Sequence, residues 1–243
     1  MEYMSVLLKI GAAAQAVELD AAIVDLDGTM VDTIGDFAEA ISRMLADLGL
    51  PSLPAQAIEH MVGKGTEHLL RSVLAHVLQQ AGQSQEALAE AVQQRFAQAL
   101  QRYEFHYLSI NGQYSRVYPG VLEGLQGLKR AGLRLACVTN KPLSFTRPLL
   151  AAKGLDGLFE QVFGGDSFDR KKPDPLPLLK TCEALGTVPA RTLMIGDSSN
   201  DAQAARAAGC PVVLVTYGYN HGQPVEQVAA DGHISSITQL LAQ

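Results

Sequence analysis

The run Ile23-Val24-Asp25-Leu26-Asp27-Gly28-Thr29 sets two carboxylates two residues apart, directly after the short apolar stretch Ala21 to Val24. Side chains at that spacing on a strand project to the same face. Two carboxylates so close cannot share a dry site unless a cation or a proton compensates them, and an oxygen-liking ion such as magnesium is a natural compensator. The chemistry expected of this pair is phosphoryl transfer. Asp25 would attack phosphorus in line to give an aspartyl-phosphate; Asp27 would protonate the leaving oxygen and later deprotonate the hydrolytic water. A bare Asp-Gly pair also reads as an ordinary turn closing a strand, but the longer run with Gly28 and Thr29 behind an apolar strand favours the chemical reading.

Later segments supply residues of matching type. Thr139 and Asn140 end the apolar run LACVTNKP and, taken alone, read equally as a cap or turn. Lys172 lies in RKKPDP, with Lys171 as its neighbouring competitor. A site holding several carboxylates and a dianionic phosphate requires a fixed cation besides the metal. Asp197, Ser198 and Asp201 open the helix-like stretch after LMIG, so Asp197 emerges where a strand ends.

Those ends belong to four short apolar runs, Ala21 to Val24, Leu133 to Val138, Thr192 to Ile195 and Val212 to Val215, which read as buried parallel strands. Between them lie helical patterns closed by glycine. Strand and helix in alternation imply an α/β class with a doubly wound parallel sheet. From Asp32 to Ser115 the rhythm changes to helical periodicity alone, which predicts an inserted all-helical cap over residues 32–115 between core segments 21–31 and 116–243. In open α/β sheets ligands sit beyond the carboxyl ends of the strands, so an insert leaving there overhangs the site as a lid.

A length of 243 residues with 47% hydrophobic and 18% charged residues is that of a folded globular chain. A net charge of −6 without a basic block argues against nucleic acid or an anionic membrane as the main partner. Cys137, Cys182 and Cys210 are scattered singly, as in a reducing compartment, and the expected location is cytoplasmic. Residues 1–20 are read as a disordered or loosely packed N-terminal extension and not a signal peptide, because Lys9 interrupts the apolar run instead of preceding it. His60, His68, His76 and His106 show no consistent metal spacing and are assigned no role.

IVDLDGTMVD resembles the first motif of haloacid-dehalogenase-like phosphatases, and LACVTNKP, RKKPDP and LMIGDSSNDAQAARAAG resemble the next three, in order. The resemblance spans the chain after Ala21, including the place of the helical insert. It implies a Rossmann-like core, with Thr139 and the Asn140 amide, beside Gly28, holding the phosphate. Lys172 would screen charge between nucleophile and phosphate. Mg2+ would be bound by the Asp25 and Asp197 side chains with the Asp27 main-chain carbonyl. Asp201 and Ser198 would lie behind this layer, Asp201 orienting waters or Lys172 or else serving as an acid in the first helical turn.

Within that superfamily, VYPGVLEGLQGLKRAGLRLACVTNKP, GGDSFDRKKPDPLPLL and VTYGYN resemble the phosphoglycolate phosphatases, which implies a small soluble phosphoester, 2-phosphoglycolate, as substrate. Substrate choice is expected from the cap, where Gly63 and Gly65 permit a tight loop and Lys64 points at the core site or is merely solvated. Tyr217 and Gly218 stand at the pocket rim or form a turn. The alternatives are another phosphatase of sugar phosphates, amino-sugar phosphates or pyrophosphate, a β-phosphoglucomutase-like phosphotransferase, or a non-catalytic binding module. A monomer or homodimer is expected.

Overall fold

The computed structural model describes residues 6–10 and 15–241. Val6–Ile10 (β1) and Gln15–Leu19 (β2) pair antiparallel, so the described part of the first twenty residues is a hairpin and not the loose extension expected. Val17 and Leu19 alternate with Glu18 and Asp20, and the apolar pair packs on the core while Arg191 takes the two acids. Val17 and Leu19 thereby turn the described face of β2 toward the core.

The chain continues through β3 (Ala21–Val24), the two-residue β4 (Val31–Asp32) and helices α1 (Ile34–Asp47), α2 (Ala55–Glu59), α3 (Thr66–Gln80) and α4 (Gln85–Ile110). It returns by β5 (Arg116–Val117) to α5 (Val121–Arg130), β6 (Arg134–Val138), α6 (Leu143–Ala152), β7 (Gln161–Phe163) and α7 (Leu176–Leu185). The last elements are β8 (Thr192–Gly196), α8 (Ser199–Ala208), β9 (Val212–Val215) and β10 (Gly232–Ile234). Six strands form one parallel sheet in the order β10-β9-β8-β3-β6-β7. The chain moves outward from β3 on one side and then restarts at β8 on the other, so the strand order reverses around β3.

β3 is paired on both edges and buried at every residue, which is why it reads as an unbroken apolar run. Alternate residues serve opposite faces. Ala22 and Val24 join α5 and α6 through Leu125, Leu128 and Leu149, while Ile23 meets α7 and α8 through Leu178 and Ala202. The edge strands β7 and β10, three residues each, were not expected from their sequence; both are only partly buried and carry no apolar run.

The helices from α1 to α4 pack around a second core, into which Phe145 of α6 and Tyr219 also reach. Phe37, Ala40, Ile41, Met44 and Leu45 make one stripe of α1 and share a cluster with Ala99, Tyr103, Tyr107 and Ile110 of α4. Burying one such large apolar side chain contributes roughly 1.5–3 kcal/mol. Chain exit and return are tied together where β4 pairs with β5. Fully buried Asp36 accepts from the amides of Gly112 and Tyr114, and Lys153 donates to the carbonyls of Gly112 and Ser115. The neck between core and cap is therefore hydrogen-bonded on both strands.

Candidate active site

Asp25 follows β3 directly, Thr139 follows β6, and Asp197 follows β8. Three adjacent parallel strands thus deliver their next side chains to one end of the sheet, as the register requires. A cavity opens there beneath the cap, and Asp25, Asp27, Thr139, Asn140, Lys172 and Asp197 line it. Ser198 and Asp201 line it as well.

The centre of the site is a buried cage of charge. The Lys172 ammonium lies 2.8 Å from Asp25 Oδ1 and 2.7 Å from Asp201 Oδ1, and donates to the Val138 carbonyl at 2.8 Å. Asp201 Oδ2 accepts from Ser198 Oγ at 2.7 Å and from the Ser198 amide at 3.1 Å, closing the N-terminus of α8. Asp201 thus meets Lys172 with one oxygen and caps α8 with the other. Asp197 accepts from Thr29 Oγ1 at 2.9 Å and from the Tyr219 amide at 2.8 Å. Gly28, in the left-handed region at φ 83°, passes so close that a Cβ there would run into the Asp197 carboxylate.

Asp25, Asp197 and Asp201 each present an oxygen within 4.8 Å of the others, and among the described residues one ammonium, that of Lys172, touches this group. Burial, opposed by Lys172 and reinforced by Asp201 and Asp27, raises the Asp25 carboxyl to about 7. Asp197 is raised well above the usual carboxylate range by burial and by the charges of Asp201 and Asp25. Burial acts to lower Lys172, but Asp201 and Asp25 more than offset it and leave that ammonium firmly charged. The site therefore carries more buried negative charge than its lysine balances, and a hard divalent cation fits that deficit. Asp201 is committed to the Lys172 ammonium and to the cap of α8, whereas Asp197 accepts only from a hydroxyl and an amide and Asp25 meets Lys172 at Oδ1, so Asp25 and Asp197 are the side chains with charge left to offer it.

Several residues at the site were not singled out from sequence. Lys141 lies 3.0 Å from Asp27 Oδ1, is buried, and faces the rings of Phe37 and Tyr107 at 4.4 and 4.7 Å. The cap loop at Val62 and Gly63 is held to the core by hydrogen bonds: Asn140 Nδ2 and Asn200 Nδ2 each donate to the Gly63 carbonyl at 3.1 Å, and His221 Nδ1 meets the Val62 carbonyl at 2.8 Å. Asn140 also donates to the Lys172 carbonyl at 2.8 Å, so its side chain couples the lysine loop to the cap loop. Asn200 was visible as part of GDSSND, and Lys141 stands two residues past Thr139; nothing local marks His221.

Lys64 differs from expectation. Gly63 and Gly65 line the cavity, but Lys64 between them is exposed and does not. With Gly63 and Gly65 both at positive φ, the loop turns its backbone toward the core. Tyr217 and Gly218 stay behind the cavity wall as well: the Tyr217 hydroxyl donates to the Thr29 carbonyl, and Gly218 packs against Asp197. The wall itself is made by Tyr219, Asn220 and His221.

Comparison with known proteins gives a consistent answer. Residues 22–215 match the model of the haloacid dehalogenase-like hydrolases. Phosphoglycolate phosphatases of Thiobacillus denitrificans and Nitrosospira multiformis are 44% and 43% identical over 204 and 202 residues. Those matches cover 84% and 83% of this chain and 86% and 85% of the relatives. A solved structure described as a predicted phosphoglycolate phosphatase from Haemophilus somnus superposes with a TM-score of 0.85 at 34% identity, covering 92% of this chain and 97% of its own. No helix among the described residues is long and apolar enough to cross a membrane.

Proposed function

The chain belongs to the haloacid dehalogenase-like hydrolase family and is a phosphomonoester hydrolase, and from that premise we propose that it hydrolyses 2-phosphoglycolate to glycolate and phosphate through an aspartyl-phosphate on Asp25. The observation that carries the reading is the ion pair of Asp25 with Lys172, set at the end of β3 in a buried cluster with Asp197 and Asp201. The substrate follows from the phosphoglycolate phosphatases to which the chain is 44% and 43% identical.

An Asp25 oxygen attacks phosphorus, the bond from phosphorus to the bridging oxygen breaks, and Asp27 gives that oxygen its proton. Glycolate leaves. Asp27 then takes a proton from water as the water attacks the aspartyl-phosphate, which releases inorganic phosphate and restores Asp25. Lys172, held by hydrogen bonds to Asp201 and the Val138 carbonyl and paired with Asp25, offsets the charge that builds between nucleophile and phosphate oxygens. The Thr139 hydroxyl, beside the Lys141 amide that donates to it at 3.2 Å, holds a phosphate oxygen. The Asp25 and Asp197 carboxylates and the Asp27 carbonyl would hold magnesium, which would supply the positive charge that lets these acids and a phosphate coexist. Cys137, Cys182 and Cys210 are all free thiols, which suits a cytoplasmic enzyme.

The test is phosphate release from a panel of small esters. 2-Phosphoglycolate should give the highest kcat/KM, activity should vanish with a chelator, and added magnesium should restore it. Chelator-resistant hydrolysis would remove the metal from the scheme, and a sugar phosphate outranking 2-phosphoglycolate would displace the substrate.

A further inference from the structure

The cavity is lined by three side chains able to carry positive charge: Lys172, His221 and Lys141. Lys172 donates to Asp201 and the Val138 carbonyl and is ion-paired with Asp25 at 2.8 Å, so its charge is already committed to two carboxylates. His221 has both ring nitrogens engaged, Nδ1 with the Val62 carbonyl and Nε2 with Asn200. Lys141 is different. Its hydrogen bonds go to one carboxylate only, at 3.0 Å to Asp27 Oδ1 and 3.3 Å to Oδ2. The rest of its head faces two aromatic rings, Phe37 from α1 and Tyr107 from α4. Rings hold a desolvated cation without using up its hydrogen bonds.

Position decides what such a cation can read. The acid that protonates the leaving oxygen must sit within hydrogen-bond reach of it, about 3 Å. Lys141 is one such step beyond Asp27, so its head lies about 6 Å or less from the bridging oxygen of a bound ester. In 2-phosphoglycolate a single methylene separates that oxygen from the carboxylate. A sugar phosphate puts neutral hydroxyls in the same place.

Resting on the proposed substrate and on the role given to Asp27, we propose that Lys141 is the specificity-determining residue of this enzyme: its ammonium passes from the Asp27 carboxylate to the carboxylate of the substrate, while Phe37 and Tyr107 of the cap hold it over the leaving group. The cation that selects the substrate thus comes from the core, and the cap supplies the rings that steer it. Esters without an anion one carbon from the bridging oxygen leave Lys141 on Asp27 and gain nothing from it.

The experiment compares 2-phosphoglycolate with its amide, which has the same shape without the charge, on the wild type and on Lys141→Met and Lys141→Arg. Wild type should prefer the acid. Lys141→Met should lose about 100-fold in kcat/KM on the acid and at most about 5-fold on the amide, as expected for a buried charge pair cut on one side. Lys141→Arg should recover part of the loss on the acid. Inhibition by glycolate should weaken in Lys141→Met while inhibition by inorganic phosphate holds, a readout that a fault in Asp27 alone would not produce. Equal losses on both esters, unchanged glycolate inhibition, or a wild type indifferent to the charge would each overturn the inference and leave the phosphatase standing. A wild type inactive on both esters but active on others would remove the substrate reading and this inference together.

Discussion

The carboxylate cage at the strand ends and the contact between cap loop and core line the same cavity, yet they are bonded in opposite styles. In the cage, ionised partners meet at 2.7–2.8 Å with almost no exposure. At the cap loop, two neutral amides and one imidazole reach main-chain carbonyls at 2.8–3.1 Å. A neutral hydrogen bond of this kind contributes roughly 1 kcal/mol net, whereas breaking a buried ion pair on one side costs about 3–5 kcal/mol. The charged groups are locked to one another, while the cap loop above them is tied to the core by neutral bonds that individually cost less to break.

If that contrast is right, the cage should tolerate nothing. Asp25→Asn should lower turnover by about ten-thousand-fold or more, because the nucleophile acts as a unit with its neighbours; a loss under tenfold in a phosphate-release assay would break the mechanism. Asp201→Ala ranks next. It takes one of the two carboxylates paired with buried Lys172 and opens the cap of α8 at Ser198, so unfolding should come about 3–5 kcal/mol sooner in denaturant. A fully stable variant would show that the cage does not depend on its second layer.

The two regions also differed in how far the sequence announced them. β3, β6, β8 and β9 are buried strands, apolar apart from Arg134 and Thr192 at the start of β6 and β8, and the residues after them were found for that reason. Asp25, Thr139 and Asp197 converge because parallel neighbours in register end together. The cap contact has no such rule behind it. His221 reaches Val62 across 159 positions, and its left-handed backbone (φ 54°) has no local marker. Lys141 was passed over because a lysine after a strand is ordinarily solvated; only the meeting of α1, α4 and the β6 end makes it a buried cation. The hairpin of β1 and β2 was hidden by an alanine-rich stretch whose alternation begins only at Val17.

A milder intervention should move the cap contact alone. Burial lowers His221 below its usual value, with the Val62 carbonyl opposing and Lys64 adding to the shift. The unfolded chain therefore takes up a proton more readily than the folded one. Stability from this group is complete above the unfolded value of 6.5 and is lost as pH falls from there toward the lowered folded value. His221→Asn tolerates the same backbone and keeps a donor for Val62, so thermal stability between pH 7 and 5 should fall less steeply than in the wild type. Identical slopes would mean that His221 does not titrate against the cap.

The smallest effect is the most discriminating between the two regions. Lys64, between two glycines in the cap loop, was the cation expected to meet the substrate from above, and the structure leaves it exposed and off the cavity wall. An exposed lysine interacts through water and salt, and single contacts of that kind contribute about 0–1 kcal/mol. Lys64→Ala should therefore change kcat/KM for 2-phosphoglycolate by no more than about fivefold, and what change there is should disappear as ionic strength rises, since screening removes distant attraction and spares contact. A large, salt-insensitive loss would put Lys64 inside the closed site, and the selection of substrate would then belong to the cap after all.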